Sequence, residues 1–477
     1  MSEPGPRRLR VAMYVANDAS RDSRVLREAD ALAAAGHDVI IVARAGAGIP
    51  LPAEEQRPTG VRLVRIPRDH DSIAGWRNVQ RRIGYPWRAR ANLTRAWLGD
   101  LQAGPEGWLR AGAKLLATLA ALPWIAYRLA GYVLLGDRLP AAGRGGQVDY
   151  VMTWRRSVLP WANAAASIAP DADVHHGHDV EGLAAAVAAA KRTGALVVYD
   201  SHELYPESAR HARQGTLARF WLRSLERRLA RQAVALVTVN KSLEEILRKS
   251  LGFTRSVVVH NAPPRWMPPD PAPDLLRERL GLPPEAHIAL YHGGFSAHRG
   301  LEELAEAILE PGLEAVHAVF LGYGKQRAML DQMASDPQFG GRLHVLDAVP
   351  PTELLPWVAS ADVAVMCLQP STLNHVLSTP NKLFEALAAG VPVVVSDFKE
   401  MREIVLGNPE GPLGTVCRPT EVADIARAIR QVVELPATEA AALRSRCLRA
   451  AHERWNWETE SARLVALYEE LVAELPS

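Results

Sequence analysis

The 477-residue chain reads as an α/β protein made of two doubly wound domains that face each other across a cleft. Three observations lead there. Short apolar and β-branched runs (Val11–Val15, Val39–Val42, Leu196–Tyr199, His287–His292, Val316–Leu321) alternate with amphipathic helical stretches, the pattern of parallel sheets built from βαβ units. The alternation begins near Val11 and begins again near His287, with the proline-dense segment Pro263–Pro273 between. Polar and glycine-bearing turns follow several of these strands, and an open parallel sheet binds its ligands at such carboxyl-end loops.

Composition narrows the class. Hydrophobic residues at 48% and charged residues at 23% are those of a globular protein, and the length suggests two or three domains at roughly 150 residues each. A net charge of +2 argues against a nucleic-acid binder. The cysteines, Cys367, Cys417 and Cys447, are odd in number and far apart in sequence, without a disulfide frame or zinc spacing, so a cytoplasmic location is expected. The apolar run from Val11 ends at Asn17, too short for a signal peptide.

In chain order, the strand Val11–Val15 runs into the polar loop Asn17–Arg24. A helix follows with Val25, Leu26, Ala29 and Leu32 inward; Gly36 closes it ahead of the strand Val39–Val42. No GxGxxG accompanies this βαβ opening, so a dinucleotide site is not expected here.

Between the strands Val61–Ile66 and Tyr150–Met152 lies an insertion, about residues 70–145. Its arginines (Arg77, Arg81, Arg82, Arg88, Arg90, Arg95) are interleaved with Trp76, Tyr85, Trp87 and Trp97. The following apolar run, Leu115–Gly136, is broken by Pro123 and Arg128 and makes a poor membrane span. Residues 76–136 suit either an anionic membrane surface or a helical hairpin packed on the sheet with its arginines solvated.

Next comes the strand-to-helix stretch Val174–Glu181, with Asp179 expected to cap the helix, and then the strand Leu196–Tyr199 leading into Asp200–Glu207. Both loops leave strand carboxyl ends, so His178, Asp179, His202 and Glu203 converge on one cleft in this reading. The H-x-H-D spacing invites a metal, yet no third ligand lies nearby in sequence and none is expected. A structural role for His178 at the strand end stays open beside substrate contact.

The second domain repeats the scheme. Gly293, Gly294 and Arg299 follow the strand His287–His292; paired glycines let backbone approach a pyrophosphate, and the arginine supplies countercharge. The strand Val316–Leu321 runs into the tight turn at Gly322. In Ser378–Asp397, Thr379 is expected as N-cap, with Pro380 at the first helical position and Gly390 as the left-handed stop before the strand Pro392–Val395. Lys382 and Glu385 then stand at a helix amino end, a place suited to phosphate and to a ribose diol.

The wording of Ser378–Asp397 resembles the donor-binding signature of retaining glycosyltransferases of the GT-B type, family 4 (glycosyl transferases group 1). Asp22–Val25 with Gly36–Val39, the stretch His-Gly-His-Asp ending at Asp179, and Tyr199–Glu207 also resemble that family. In the family a glutamate that holds the donor sugar precedes, by eight residues, a second that binds ribose. Glu385 takes the second place, whereas the first falls on Leu377, so the sequence resembles a divergent branch of the family with Ser378, Asn381 and Lys382 replacing part of the pattern.

The resemblance implies a GT-B fold of two Rossmann-like domains. Residues 1–265 form the acceptor side and 274–454 the nucleotide-sugar side, while 455–477 cross back as a helix onto the first domain. It implies a nucleotide-diphosphate sugar as donor substrate, no cofactor and no metal, and a glycan, lipid-linked or small-molecule acceptor, as in polysaccharide biosynthesis. Donor contacts fall on Gly293, Gly294, Arg299, Gly322, Val349 (near the nucleobase), Ser378, Asn381, Lys382, Leu383 and Glu385. His178, Arg299 and Lys382 are the catalytic candidates, and Asp22, Arg24, Asp179, His202 and Glu203 face the acceptor. A GT-B epimerase, an inverting transferase with Asp179 or Glu203 as base, and a non-catalytic sugar-nucleotide-binding protein at a membrane surface are the alternatives.

Overall fold

A computed structural model of the chain describes residues 7–20, 22–46, 51–67, most of 97–126, 154–208 and 216–474. The expected strand Tyr150–Met152, the basic and aromatic run up to Arg95, and most of Leu115–Gly136 lie outside the described residues.

The first sheet contains β1 (Arg10–Val15), β2 (Asp38–Arg44), β3 (Glu54–Gln56), β4 (Arg62–Ile66), β5 (Val174–His178), β6 (Leu196–Ser201), β7 (Ala235–Thr238) and β8 (Ser256–Val258). Its order is β3-β4-β2-β1-β5-β6-β7-β8, parallel throughout except for β3, which runs antiparallel on the edge. β3 escaped the sequence reading because its three residues, Glu-Glu-Gln, are all exposed and carry no apolar alternation. The strands inside the sheet are buried on both faces: Val11, Met13 and Val15 enter one core, Ala12 and Tyr14 the other. Helix Ser23–Ala34 covers the first face with Val25, Ala29 and Leu32, and the last helix, Trp457–Glu474, lays Leu464, Leu467, Tyr468 and Leu471 on that same face.

The second sheet contains β9 (His287–Phe295), β10 (Val316–Gly324), β11 (Leu343–Asp347), β12 (Val363–Met366), β13 (Val393–Ser396) and β14 (Gly414–Cys417), in the order β11-β10-β9-β12-β13-β14. All its pairings are parallel. Strand order reverses between β1 and β5 in the first sheet and between β9 and β12 in the second, and ligand crevices open at such switch points. Cys367 and Cys417, distant in sequence, bring their Sγ atoms to 3.6 Å, and all three cysteines are free thiols.

Helix Asn381–Ala388 starts one residue later than expected. Pro380 is its N-cap, with extended backbone (φ −68°, ψ 140°), and Thr379 lies outside, its Oγ1 3.4 Å from Asn240 Nδ2. The helix buries Leu383, Phe384 and Leu387, and Gly390 stops it at φ +69° as expected. The chain passes between the sheets twice, and the crossings are tied together: Trp457 N donates to Pro263 O at 2.9 Å, and His260 N donates to Glu460 Oε2 at 2.9 Å.

Candidate functional site

A cleft of about 1000 Å³ opens between the carboxyl ends of the two sheets. Asn17, Asp18, Asp22, Arg24, His202 and Glu203 line it from the first domain, and Arg299, Asn374, His375, Ser378, Thr379 and Asn381 from the second.

On the second domain, β9 delivers the glycine turn and helix Asn381–Ala388 points its amino end toward it. The link between them is Lys382. Its Nζ sits 3.6 Å from the centroid of the Tyr291 ring, and a Cβ built on Gly293 (φ +105°) would lie 3.5 Å from that nitrogen. Tyr291 Oη donates to Gly294 O at 2.9 Å and fixes the turn. Burial pushes the Lys382 ammonium well below its ordinary pKa; the Arg299 charge pushes it further and Glu385 pulls it partly back. Arg299 is half-buried, with Nε 3.4 Å from Ser296 Oγ. Lys382, Arg299, a glycine turn and the amino end of a helix therefore share one corner, as an anion site requires.

Glu385, one turn further along the helix, has Oε2 2.9 Å from His292 Nε2. Burial raises the carboxyl pKa, but the His292 hydrogen bond, with the charges of His292, Lys382 and Arg27, outweighs burial and holds it below the ordinary value. Glu385 is thus ionised near neutrality and part-exposed, with 25% of its side chain accessible. His292 was read only as a strand end; in a buried strand nothing marks a histidine whose partner lies 93 positions away.

The remaining donor candidates take different places. Gly322 sits directly behind Gly293: a Cβ on it would come 1.9 Å from Gly293 O, so only hydrogen fits. The Leu383 side chain is wholly buried in the core. Val349 packs, partly buried, against that core and does not line the cleft.

On the first domain, Asp22 caps helix Ser23–Ala34, accepting from Val25 N at 3.3 Å, and its other oxygen accepts from Asn17 Nδ2 at 2.8 Å. Arg24 is almost fully buried. Nε and Nη2 donate to the two oxygens of Asp200 at 3.1 and 3.0 Å, and Nη1 donates to Val259 O at 2.6 Å. His202 lies between two carboxylates, Nε2 3.1 Å from Asp200 Oδ2 and Nδ1 3.7 Å from Asp179 Oδ2. Burial lowers its pKa, yet Asp179 and Asp200 overcome this and push it up to about 10, so His202 is an imidazolium. Glu203 is pushed up to about 7 by burial and by Asp179.

His178 is 1% exposed and stands behind the cleft wall, Nδ1 3.1 Å from Asp200 Oδ2 and 3.3 Å from His202 Nε2. Asp179 is not the N-cap. It is the first residue of helix Asp179–Thr193, with left-handed φ +53°, and its Oδ1 accepts from His202 N at 3.3 Å rather than from a helix N–H. Behind this wall Glu28, His176, His178 and Asp200 bring ligand-type atoms within 4.8 Å of one another. The ligand set absent from the sequence neighbourhood of His178 thus comes from β5, a helix and β6 together.

Sequence reading also missed the segment that locks the cleft. In helix Leu373–Val376, Asn374 accepts from Leu204 N at 2.8 Å and donates to Leu204 O and Glu203 Oε2, both at 3.0 Å. Asn240 Nδ2 donates to Leu377 O at 2.7 Å, and Ser242 N donates to Glu400 Oε1 at 2.8 Å. Leu377 itself packs against the first domain's core, so the position where the family signature has a glutamate serves contact between the domains here.

Residues 135–262 match the family model described as "Glycosyltransferase Family 4", and residues 286–434 the model described as "Glycosyl transferases group 1". A D-inositol 3-phosphate glycosyltransferase of Xylanimonas cellulosilytica is 30% identical over 233 residues, 46% of this chain. The chain spans about half of that relative, 53% of its length. Among solved structures, sucrose-phosphate synthase from Thermosynechococcus elongatus superposes with a TM-score of 0.67 at 15% identity, covering 98% of this chain and 100% of the other. An Anabaena protein in complex with UDP and glucose gives 0.59 at 14% identity, with the same coverage.

Proposed function

As a family 4 domain followed by a group 1 domain in the GT-B arrangement, the chain belongs to the glycosyltransferases, and we propose that it is a retaining, metal-independent enzyme using a nucleotide-diphosphate sugar. The observation that carries this reading is Lys382 reaching from the helix amino end back to the glycine turn, beside Arg299. A departing diphosphate held there meets two cations and a helix dipole without help from a metal ion. Glu385, ionised and steadied by His292, accepts from the ribose hydroxyls. The acceptor, a hydroxyl-bearing glycan, lipid-linked sugar or small molecule, enters along Asp22, His202 and Glu203. Its proton leaves to the departing phosphate on the same face, which preserves anomeric configuration. His178 acts from behind by orienting His202.

One observation favours a second reading. Glu203, pushed up to about 7 in the cleft, suits a general base for an inverting transfer. Proton NMR of the product made from an α-linked nucleotide sugar separates the two: an α-product supports retention, and a β-product assigns Glu203 as base. Donor binding with no transfer to any acceptor would leave a sugar-nucleotide-binding protein.

The membrane surface belongs to the same proposal. Trp108, Leu109, Leu116 and Leu119, at 51–77% exposure, leave an apolar helix surface uncovered in the insertion, which supports peripheral contact with an anionic leaflet. Among the described residues no helix is long and apolar enough to cross a membrane. Removal of residues 76–136 is expected to abolish co-sedimentation with anionic liposomes; retained binding would refute the assignment.

A further inference from the structure

Behind the acceptor wall, four buried side chains from three separate elements lie together, the rings of His176 and His178 stacked with centroids 4.6 Å apart. Glu28 comes from helix Ser23–Ala34, His176 and His178 from β5, and Asp200 from β6; the four are between 0% and 1% exposed. His176 Nε2 lies 3.9 Å from both Glu28 Oε2 and Asp200 Oδ2, and His178 Nδ1 lies 3.1 Å from Asp200 Oδ2. All four ligand-type atoms fall within 4.8 Å of one another. Zinc bonds of about 2.0–2.2 Å in a tetrahedron set donor atoms about 3.4 Å apart, so the 3.9 Å spacings from His176 Nε2 to the two carboxylates close by small rotamer shifts.

Two further observations point to a ligand. The Nε2 atoms of His176 and His178 are buried without hydrogen-bond partners, a costly state for polar atoms unless something binds them. His176 Nδ1 lies 2.8 Å from Tyr468 Oη, on the last helix. With Nδ1–H donating to that hydroxyl, the Nε2 lone pair is directed at Glu28 and Asp200, the outer-shell arrangement that orients a metal-bound imidazole. Arg24 approaches the same carboxylates from the other side, Nη2 2.9 Å from Glu28 Oε1 and 3.0 Å from Asp200 Oδ1. It balances part of their charge and leaves Glu28 Oε2 facing His176.

We propose that Glu28, His176, His178 and Asp200 form a buried structural site for one divalent transition-metal ion of the zinc type, joining a helix, β5 and β6 behind the acceptor wall. Two imidazole nitrogens and two carboxylate oxygens, with no thiolate, fit zinc, cobalt(II) or manganese(II). The ion holds His178 in place behind His202 and, through Tyr468, ties the last helix to the first sheet. It takes no part in leaving-group chemistry, and it stands independently of the transferase reading. Its competitor is Arg24 with a proton on the carboxylate pair, an arrangement without metal.

The test uses the full chain, stripped with chelator and reloaded with zinc or cobalt(II) chloride. Expected are about one tightly held ion per chain, a visible tetrahedral cobalt spectrum, and a melting temperature that rises with zinc. Glu28→Gln and His176→Asn keep the other histidines, so they remove the spectrum and the stabilisation if the ion sits here. Wild-type protein with no retained metal, no cobalt spectrum and no shift in melting temperature overturns the proposal. So does a folded Glu28→Gln variant that binds cobalt with an unchanged spectrum. If both variants fail to fold, the wild-type stoichiometry and spectrum decide.

Discussion

Replacing Lys382 by methionine keeps an unbranched apolar stem out to Cε while removing the ammonium that lies over the Tyr291 ring. A hydrogen bond to a charged group contributes about 1.5–3 kcal/mol, so a nucleoside diphosphate should bind about 10- to 150-fold more weakly to the variant. A donor group aimed at developing charge contributes about 2.7–4 kcal/mol, so turnover should fall by a further 100- to 1000-fold or so. Isothermal titration with a nucleoside, its monophosphate and its diphosphate locates the loss, which should be confined to the diphosphate.

The depressed Lys382 pKa adds a signature. In the free protein the neutral amine is favoured relative to an ordinary lysine, and a bound diphosphate favours the ammonium. Binding therefore takes up protons, and affinity rises as pH falls until the pH drops below the free-state value. The uptake is read as a dependence of the binding enthalpy on buffer ionisation heat and should vanish in Lys382→Met. Equal loss of nucleoside and diphosphate affinity, or no loss at all, would falsify the phosphate assignment.

Three other perturbations probe the frame. Asn374→Ala removes three hydrogen bonds across the cleft and leaves the Leu204 N–H unpaired; it should open the domains, raising the radius of gyration in X-ray scattering and weakening acceptor binding. Glu226 is buried, accepts from Tyr199 Oη at 2.8 Å, and is pushed up to about 7 by burial. Its folded pKa exceeds the ordinary value of 4.5, so its stabilising share is complete below about pH 4.5 and is lost as pH rises toward 7. Glu226→Gln should accordingly match wild type near pH 4.5 and exceed it by up to about 3 kcal/mol at pH 8 in urea melts; a pH-independent difference would contradict this. Gly322→Ala forces a Cβ onto Gly293 O and should yield aggregated or strongly destabilised protein, whereas a normal melting temperature would mean the two strands separate there at little cost.

The parallel strands and the amphipathic helices were legible because burial on both faces demands continuous apolar runs, and because Gly390 and the proline-dense segment punctuate them. Lys382, Glu385 and the glycine turn could be named as candidates because each stands in a local strand-turn or turn-helix pattern, but that Lys382 meets the turn could not be read from its neighbours in sequence. What stayed hidden depends on distant pairing: His292 against Glu385, Arg24 against Asp200, and Asn374 reaching Leu204. The expected Asp179 cap failed for the same reason. Its carboxylate found the His202 backbone N–H across a strand and gave up the local helix bond that a reading of neighbours supplies.

The most direct test is a crystal structure of the wild-type chain with a nucleoside diphosphate. The distal phosphate is expected about 2.7–3.1 Å from Lys382 Nζ and the amides opening helix Asn381–Ala388, within reach of Arg299, with both ribose hydroxyls on Glu385. A diphosphate bound elsewhere in the cleft, or a ribose turned away from Glu385, would contradict this.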